Sequence, residues 1–162
     1  MIKASNKDRM VKKALEHLSQ EMFISIATSD GKGNPSVSTK VLLQAKGNTV
    51  YVVDHVYGRT CKNLKINPKV CLSSIDMEEQ VGYQLYGFAE LVKDKQKYNK
   101  LVQEVKGRQI HFATARVIKG VRRERSHGKF EVLQMQNFYF FKVNIKAISR
   151  VDFMGERHKK EL

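Results

Sequence analysis

YVVDHVYGRTCKNLKINPKVCL, residues 51–72, divides by residue chemistry into four pieces. Tyr51, Val52 and Val53 are strand formers, and the run stops at Asp54-His55. Gly58-Arg59-Thr60 opens a short polar segment that ends at Asn67-Pro68, and Val70-Cys71-Leu72 resumes an extended pattern. The order is strand, basic helix start, short helix, strand. The first N–H groups of a helix lack intrahelical partners and carry partial positive charge, so Gly, Arg and Thr placed there suit an anion. Gly58 lets backbone come close, Arg59 can grip two oxygens at once, and Thr60 adds a hydroxyl. This chemistry suggests a phosphate site. An ordinary N-cap beside a solvated arginine accounts for the same residues equally well.

Upstream, Ser5 or Asn6 can cap a helix over residues 5–19, with Met10, Val11, Ala14, Leu15 and Leu18 on one stripe. Residues 22–28, MFISIAT, read as a buried strand. The turn-rich DGKGNP at 30–35 predicts that the next strand, 36–44, returns antiparallel. Val37, Thr39, Val41 and Leu43 then share one face and Ser38, Lys40 and Leu42 the other, so Lys40 either lines a cavity or reaches solvent. Gly47-Asn48 turns the chain into a strand at 49–54.

Downstream, residues 70–76 and 81–92 form a hairpin around 77–80. Asp94 caps a helix at about 95–106, with Tyr98, Leu101, Val102 and Val105 inward and Gly107 as its stop. Residues 109–118 fit helix or strand, 130–135 and 138–143 read as strands, and 147–153 closes the sheet. Turn signals at this spacing favour an antiparallel barrel, mainly β with helices (α+β), over a parallel doubly wound sheet. With no repeats and two prolines, residues 1–162 read as one domain: a helix at 5–19, a barrel core at about 20–93, and a helix with closing strands at about 94–155.

The 41% hydrophobic and 28% charged residues are an ordinary soluble composition. No apolar run approaches the roughly 20 residues of a membrane helix, and the amphipathic N-terminus lacks an apolar signal core, so a cytoplasmic location is expected. Cys61 and Cys71 fit neither a disulfide framework nor metal-pair spacing and are expected reduced. The net charge of +14 attracts polyanions: nucleic acid, anionic membrane or phosphorylated cofactors. Its densest block is residues 116–129, RVIKGVRRERSHGK, which could instead be a solvated loop; with the aromatics of FYFF at 138–141 it makes a nucleic-acid reading conceivable. FYFF fits a core strand better. The five histidines are scattered without ligand spacing, so no metal is expected. No nucleophile–base pair stands out, and no catalytic residue is assigned.

Three segments, FISIATSDGKGNPSVSTKVLL (23–43), TVYVVDHVYGRTCKNLKINPKVCLSSID (49–76) and GYQLYGFAEL (82–91), together resemble the FMN-binding split-barrel proteins, the group that includes pyridoxamine 5'-phosphate oxidase. The most specific piece is GRTCKNLKINPKV, in which a G-R-T element precedes an N-P-x-V strand start. The D-G-x-G-N-P hairpin followed by a basic residue in the second strand is an independent match. The resemblance implies a six-stranded antiparallel split barrel with flanking helices. It also implies FMN whose phosphate is held by Lys40, Arg59 and Thr60, with Gly58 at the same turn and Asn63 on the phosphate side. Val41 and Leu42 would lie along the isoalloxazine ring and offer backbone hydrogen bonds, and Asp54 and His55 would border the flavin and its ribityl chain. Family members are usually homodimers with flavin between subunits, and the flavin implies an FMN-dependent oxidoreductase passing electrons from a nicotinamide or protein donor to an unknown acceptor. Some relatives use F420 and others haem, so F420 or another phosphorylated ligand is the alternative. Beyond residue 92 the oxidase's own substrate-binding pattern is not found, and the match is closer to the small FMN-binding proteins and flavin reductases.

Overall fold

The computed structural model describes residues 6–122, 137–152 and 154–162. In chain order the elements are α1 (Asn6–Gln20), β1 (Phe23–Ser29), β2 (Pro35–Lys46), β3 (Thr49–Asp54), α2 (Arg59–Ile66), β4 (Lys69–Asp76), β5 (Val81–Leu91), α3 (Lys95–Arg122), β6 (Tyr139–Asp152) and β7 (Arg157–Glu161). Every strand pairing is antiparallel. Following the hydrogen bonds, β1 joins β2, β2 joins β3, β3 joins β6, β6 joins β5, β5 joins β4, and β4 returns to β1. Six strands therefore close a barrel, as expected, and β7 is added outside the ring.

β6 was expected as two strands and is one. Its first half pairs with β3 (Tyr139 to Asn144), and its second half pairs with β7 (Ala147 to Val151), while β5 stays on the other side throughout. The changeover is a bulge opposite Tyr86 and Gly87. Glycine is needed there because a Cβ on residue 87 would stand 2.2 Å from the Asn144 carbonyl oxygen. The bulge explains why the apolar pattern breaks at residues 144–146 without ending the strand. β7, RHKKE, has no apolar alternation and is an exposed edge strand that the sequence reading did not anticipate.

The inward residues of the strands alternate as β geometry requires: Ile24 and Ile26, Val50 and Val52, Val81, Tyr83 and Leu85, and Phe141, Val143 and Ile145 are all buried. Met10, Ala14 and Leu18 of α1 pack on this cluster, as do Cys61 and Leu64 of α2. His17, in the last turn of α1, lies 2.9 Å from the Ser74 hydroxyl of β4 and so ties helix to strand. A second cluster, Leu43, Val53, Leu101, Val105, Phe138 and Phe140, lies between α3 and the outer side of β2, β3 and β6. Phe140 and Phe141 of FYFF are thus core residues.

Asp94 caps α3 as expected, accepting the Lys97 N–H at 2.7 Å. Gly107 does not stop that helix: α3 continues to Arg122. A Cβ at Gly107 would meet nothing within 4 Å, so this glycine is an exposed helix position that weakens but does not end the helix. Residues 109–118 are accordingly helical. The strand expected at 130–135, and the basic block beyond residue 122, lie outside the described residues. Among the described residues no helix is long and apolar enough to cross a membrane.

Among the described residues, no helix covers two cross-strand rows on the outer side of β2, β1, β4 and β5. Val37–Ala27–Cys71–Tyr86 forms one row and Thr39–Ser25–Ser73–Gln84 the next. Neither row contains a charged residue, and Val37, Phe23 and Ile75 on the same side are exposed. Arg157 of β7 borders the rows through hydrogen bonds to Gln84 and Tyr86.

Candidate functional site at the barrel mouth

β2 turns Ser38 and Lys40 inward, and α2 closes over them. One step beyond the Val41–Val53 pair, Asp54 of β3 faces Lys40, and Lys40 Nζ lies 2.6 Å from Asp54 Oδ2 with only 8% and 13% of the two side chains exposed. The other carboxylate oxygen of Asp54 accepts the Val56 N–H at 3.2 Å. Two residues along β2, the Ser38 hydroxyl is 3.0 Å from that of Thr60. Asn63 donates to Thr28 Oγ1 at 3.0 Å, and Asn67 donates to Ser29 Oγ at 2.8 Å. The inner side of α2 is therefore stitched to β1 and β2 through hydroxyls and amides, which is why its buried residues include Thr60 and Asn63.

The start of α2 is differently made. Gly58 has extended backbone (φ −95°, ψ −161°), and no side chain caps the helix. Neither that conformation nor crowding demands glycine, since a Cβ would meet only the Val56 carbonyl oxygen at 4.0 Å. Arg59 points out from this turn, and among the described residues no carboxylate pairs with it.

His55 follows Asp54, and its ring meets Phe138 edge-on at 5.4 Å. Its Nδ1 is buried and has no hydrogen-bond partner among the described residues. Burial pushes the imidazole below the ordinary histidine pKa; the Asp54 carboxylate opposes this and the Lys40 ammonium adds to it. The ring is therefore neutral near pH 7 and holds one nitrogen able to accept. Burial also raises the Cys61 thiol, with Asp54 contributing in the same direction, so Cys61 is a protonated core thiol and not an acidified one.

Of the residues singled out from the sequence, Lys40, Asp54, His55 and Thr60 are gathered here, and Gly58 and Arg59 form the adjoining rim. Asn63 is turned inward to Thr28. Val41 is half-buried on the outer side, between Phe23 and Val53. Leu42 is a core residue whose backbone is already engaged: its N–H donates to the Met22 carbonyl at 2.9 Å, and its carbonyl accepts from Arg108 at 2.8 Å. Arg108 was not foreseen. It also donates to the Leu43 carbonyl and pairs with Glu104 at 2.9 Å, fastening α3 to the β2 bulge that lies between Leu42 and Gln44. The Glu104–Arg108 spacing of four was a legible helix pair, but its reach to β2 was not. Ser38, two residues before Lys40 on the same face, could have been read from strand periodicity. Among the described residues no group of three metal-ligating side chains converges.

The arrangement is that of a small closed β-barrel with a polar mouth, in which a short helix presents an uncapped first turn, a lone guanidinium and a buried lysine. Residues 10–144 match the family model for pyridoxamine 5'-phosphate oxidase, and the chain belongs to that split-barrel family, which includes FMN-binding members. An uncharacterised protein of Methanocaldococcus jannaschii is 33% identical over 94 residues, a match spanning 57% of this chain and 60% of that protein. Among solved structures, a Clostridium acetobutylicum protein related to general stress protein 26, of the pyridoxinephosphate oxidase family, aligns with a TM-score of 0.67 and 15% identity, over 98% of this chain and 97% of that one. A pyridoxamine 5'-phosphate oxidase-related FMN-binding protein of Nostoc punctiforme aligns with a TM-score of 0.56 and 11% identity, over 99% of both. At these identities the structural likeness speaks for the fold.

Proposed function

We propose that this protein is a homodimeric FMN-binding flavoprotein that acts as an oxidoreductase. The observation that carries the reading is His55 Nδ1, a buried ring nitrogen with no hydrogen-bond partner among the described residues, next along the chain to the Asp54 that pairs with Lys40. A buried polar atom without a partner costs free energy that a ligand hydroxyl recovers. The donor set fits a flavin mononucleotide: Arg59, the remaining N–H groups of Lys40, the Ser38 and Thr60 hydroxyls and the first turn of α2 suit a phosphate. His55 and Asp54 suit ribityl hydroxyls, and Val41 offers an apolar wall. Asp54 already neutralises Lys40, so Arg59 supplies the uncompensated charge. FMN, when bound, supplies the electron- and hydride-transfer chemistry; the chain's part is to bind, orient and shield it.

The partner in this reading is a second copy of the chain. Two rows without a charged residue on an open sheet side, in a chain that is 28% charged, suit a self-complementary contact, with Arg157 at their border. Two free thiols accord with a reducing, cytoplasmic setting. The nucleic-acid alternative loses Phe140 and Phe141, which are 1% and 0% exposed and cannot stack on bases, while Phe130 lies outside the described residues.

The test is the visible spectrum and thermal stability of the purified protein. Flavin absorbance, or a rise in Tm on adding FMN, is expected. A colourless protein whose Tm responds to F420 and not to FMN would transfer the site to the deazaflavin. Indifference to both would sink the flavin reading.

A further inference from the structure

On another side of the barrel, α1 and strands β5, β6 and β7 border a cavity of about 350 Å³ that shares no residue with the mouth. Its apolar lining is Met10 and the ring of Tyr83, a residue only 1% exposed. Its charged lining is Arg9, Lys13 and Arg150 against one carboxylate, Glu79, with His158 completing the wall. Lys13 Nζ lies 2.6 Å from Glu79, so that carboxylate is already satisfied. Among the described residues no carboxylate pairs with Arg9, and the Asp152 carboxylate reaches Arg150 only at 4.0 Å, the outer limit of an ion pair. Burial first, and the Glu79 charge second, hold the Tyr83 phenol above its ordinary pKa, so it stays a neutral hydroxyl. A cavity lined by three cationic side chains, two of them weakly compensated guanidinium groups, against one carboxylate favours anions over cations.

The volume sits near the lower end of the roughly 300–1,000 Å³ usual for ligand pockets, which suits a single-ring molecule and not a dinucleotide. Guanidinium planes, a tyrosine ring and a pliable methionine all favour a flat apolar body behind the anionic group. The geometry points to a second binding site, separate from the barrel mouth, for a small ring compound carrying a phosphate or carboxylate. Arg9 and Arg150 bind the anionic group, Tyr83 and Met10 hold the ring, and the Lys13–Glu79 pair forms a fixed side of the pocket.

The experiment is calorimetric titration of the full chain with phenyl phosphate, benzoate and phenol. Phenyl phosphate or benzoate is expected to bind, with phenol at least about tenfold weaker, the usual scale for one charge-assisted contact. Arg9→Ala, at an exposed helix position that should leave folding intact, and Arg150→Gln should each weaken the anion by about tenfold or more. Arg59→Ala, at the mouth, should leave it unchanged. The inference is overturned if neither anion binds, if phenol binds equally well, or if binding survives both cavity substitutions. It is also overturned if binding disappears with Arg59→Ala, since the anion would then be occupying the mouth. FMN titration of the same variants reports on the flavin reading separately.

Discussion

The barrel mouth and the open side of β2, β1, β4 and β5 invert the usual placement of charge. At the mouth an ammonium and a carboxylate sit side by side, nearly out of water, beneath α2. On the open side, rows that face outward carry Val, Ala, Cys, Tyr, Thr, Ser and Gln but no charge. Burying an ion pair seldom stabilises a fold more than apolar residues of the same volume would, so its presence at the mouth is better explained by what the site binds than by stability. Leaving an outward sheet side uncharged costs solubility, and covering it with an identical surface removes that cost. In the proposed reading, polarity inside serves a ligand and lack of charge outside serves a second copy of the chain.

The comparison breaks most sharply at Asp54. Asp54→Ala leaves the Lys40 ammonium buried and unpaired, and should cost about 3–5 kcal/mol in urea unfolding. Lys40→Met with Asp54→Ala should recover most of that loss. A cost below about 1 kcal/mol would mean that water reaches the pair and that the mouth is not a dry site. On the open side, Val37→Glu with Ile75→Glu should weaken self-association by about a hundredfold or more, because like charges then meet across the symmetric contact. Sedimentation velocity reads this directly, and the monomer's unfolding should move by no more than about 0.5 kcal/mol. An unchanged oligomer would place the subunit contact elsewhere. Smaller still, Gly107→Ala should stabilise the chain by about 0.5–1 kcal/mol, since it replaces an exposed glycine within α3. A destabilised variant would show that the helix needs that glycine after all.

The smallest effect is a pH dependence confined to the mouth. The folded pKa of His55 lies below its unfolded value, so its contribution is fully present above the ordinary histidine pKa and is lost as pH falls through the depressed one. Stability should therefore sag on the acid side of about pH 6.5, and His55→Gln should flatten the sag when the two unfolding curves are compared. Parallel curves would mean that the imidazole is not held neutral. FMN, by engaging Nδ1, should steepen the wild-type dependence.

Much of the barrel was legible because turn chemistry frames it. The DGKGNP hairpin, the Gly47-Asn48 turn and the break at Asp54-His55 set the limits of β1 to β3 to within a residue or two, and β3 at 49–54 was read as it stands. Three features were not legible, each for its own reason. Gly107 looked like a helix stop, but an exposed glycine only costs helix stability, and Arg108, the next residue, is fastened to the carbonyls of Leu42 and Leu43. β6 looked like two strands because a bulge, permitted by Gly87 on the neighbouring strand, interrupts the alternation. β7 carries no hydrophobic period because it buries little. At the site, Lys40, Asp54, His55 and Thr60 were each identified from local pattern or resemblance. That Lys40 and Asp54 bind each other depends on the β2–β3 register, and the grip of Arg108 on the Leu42 carbonyl depends on where α3 lies; neither is a local property.

The proposal that decides the function is that the uncapped start of α2, with Arg59 unpaired among the described residues, receives the phosphate of a flavin. Calorimetric titration of FMN against riboflavin, which lacks the phosphate, measures that directly in the wild type and in Arg59→Ala. The account predicts that the wild type prefers FMN by about tenfold or more, worth about 1.5–3 kcal/mol for a charge-assisted contact, and that Arg59→Ala erases most of the preference. Equal affinity for the two flavins in the wild type, or a preference undiminished in Arg59→Ala, would contradict it.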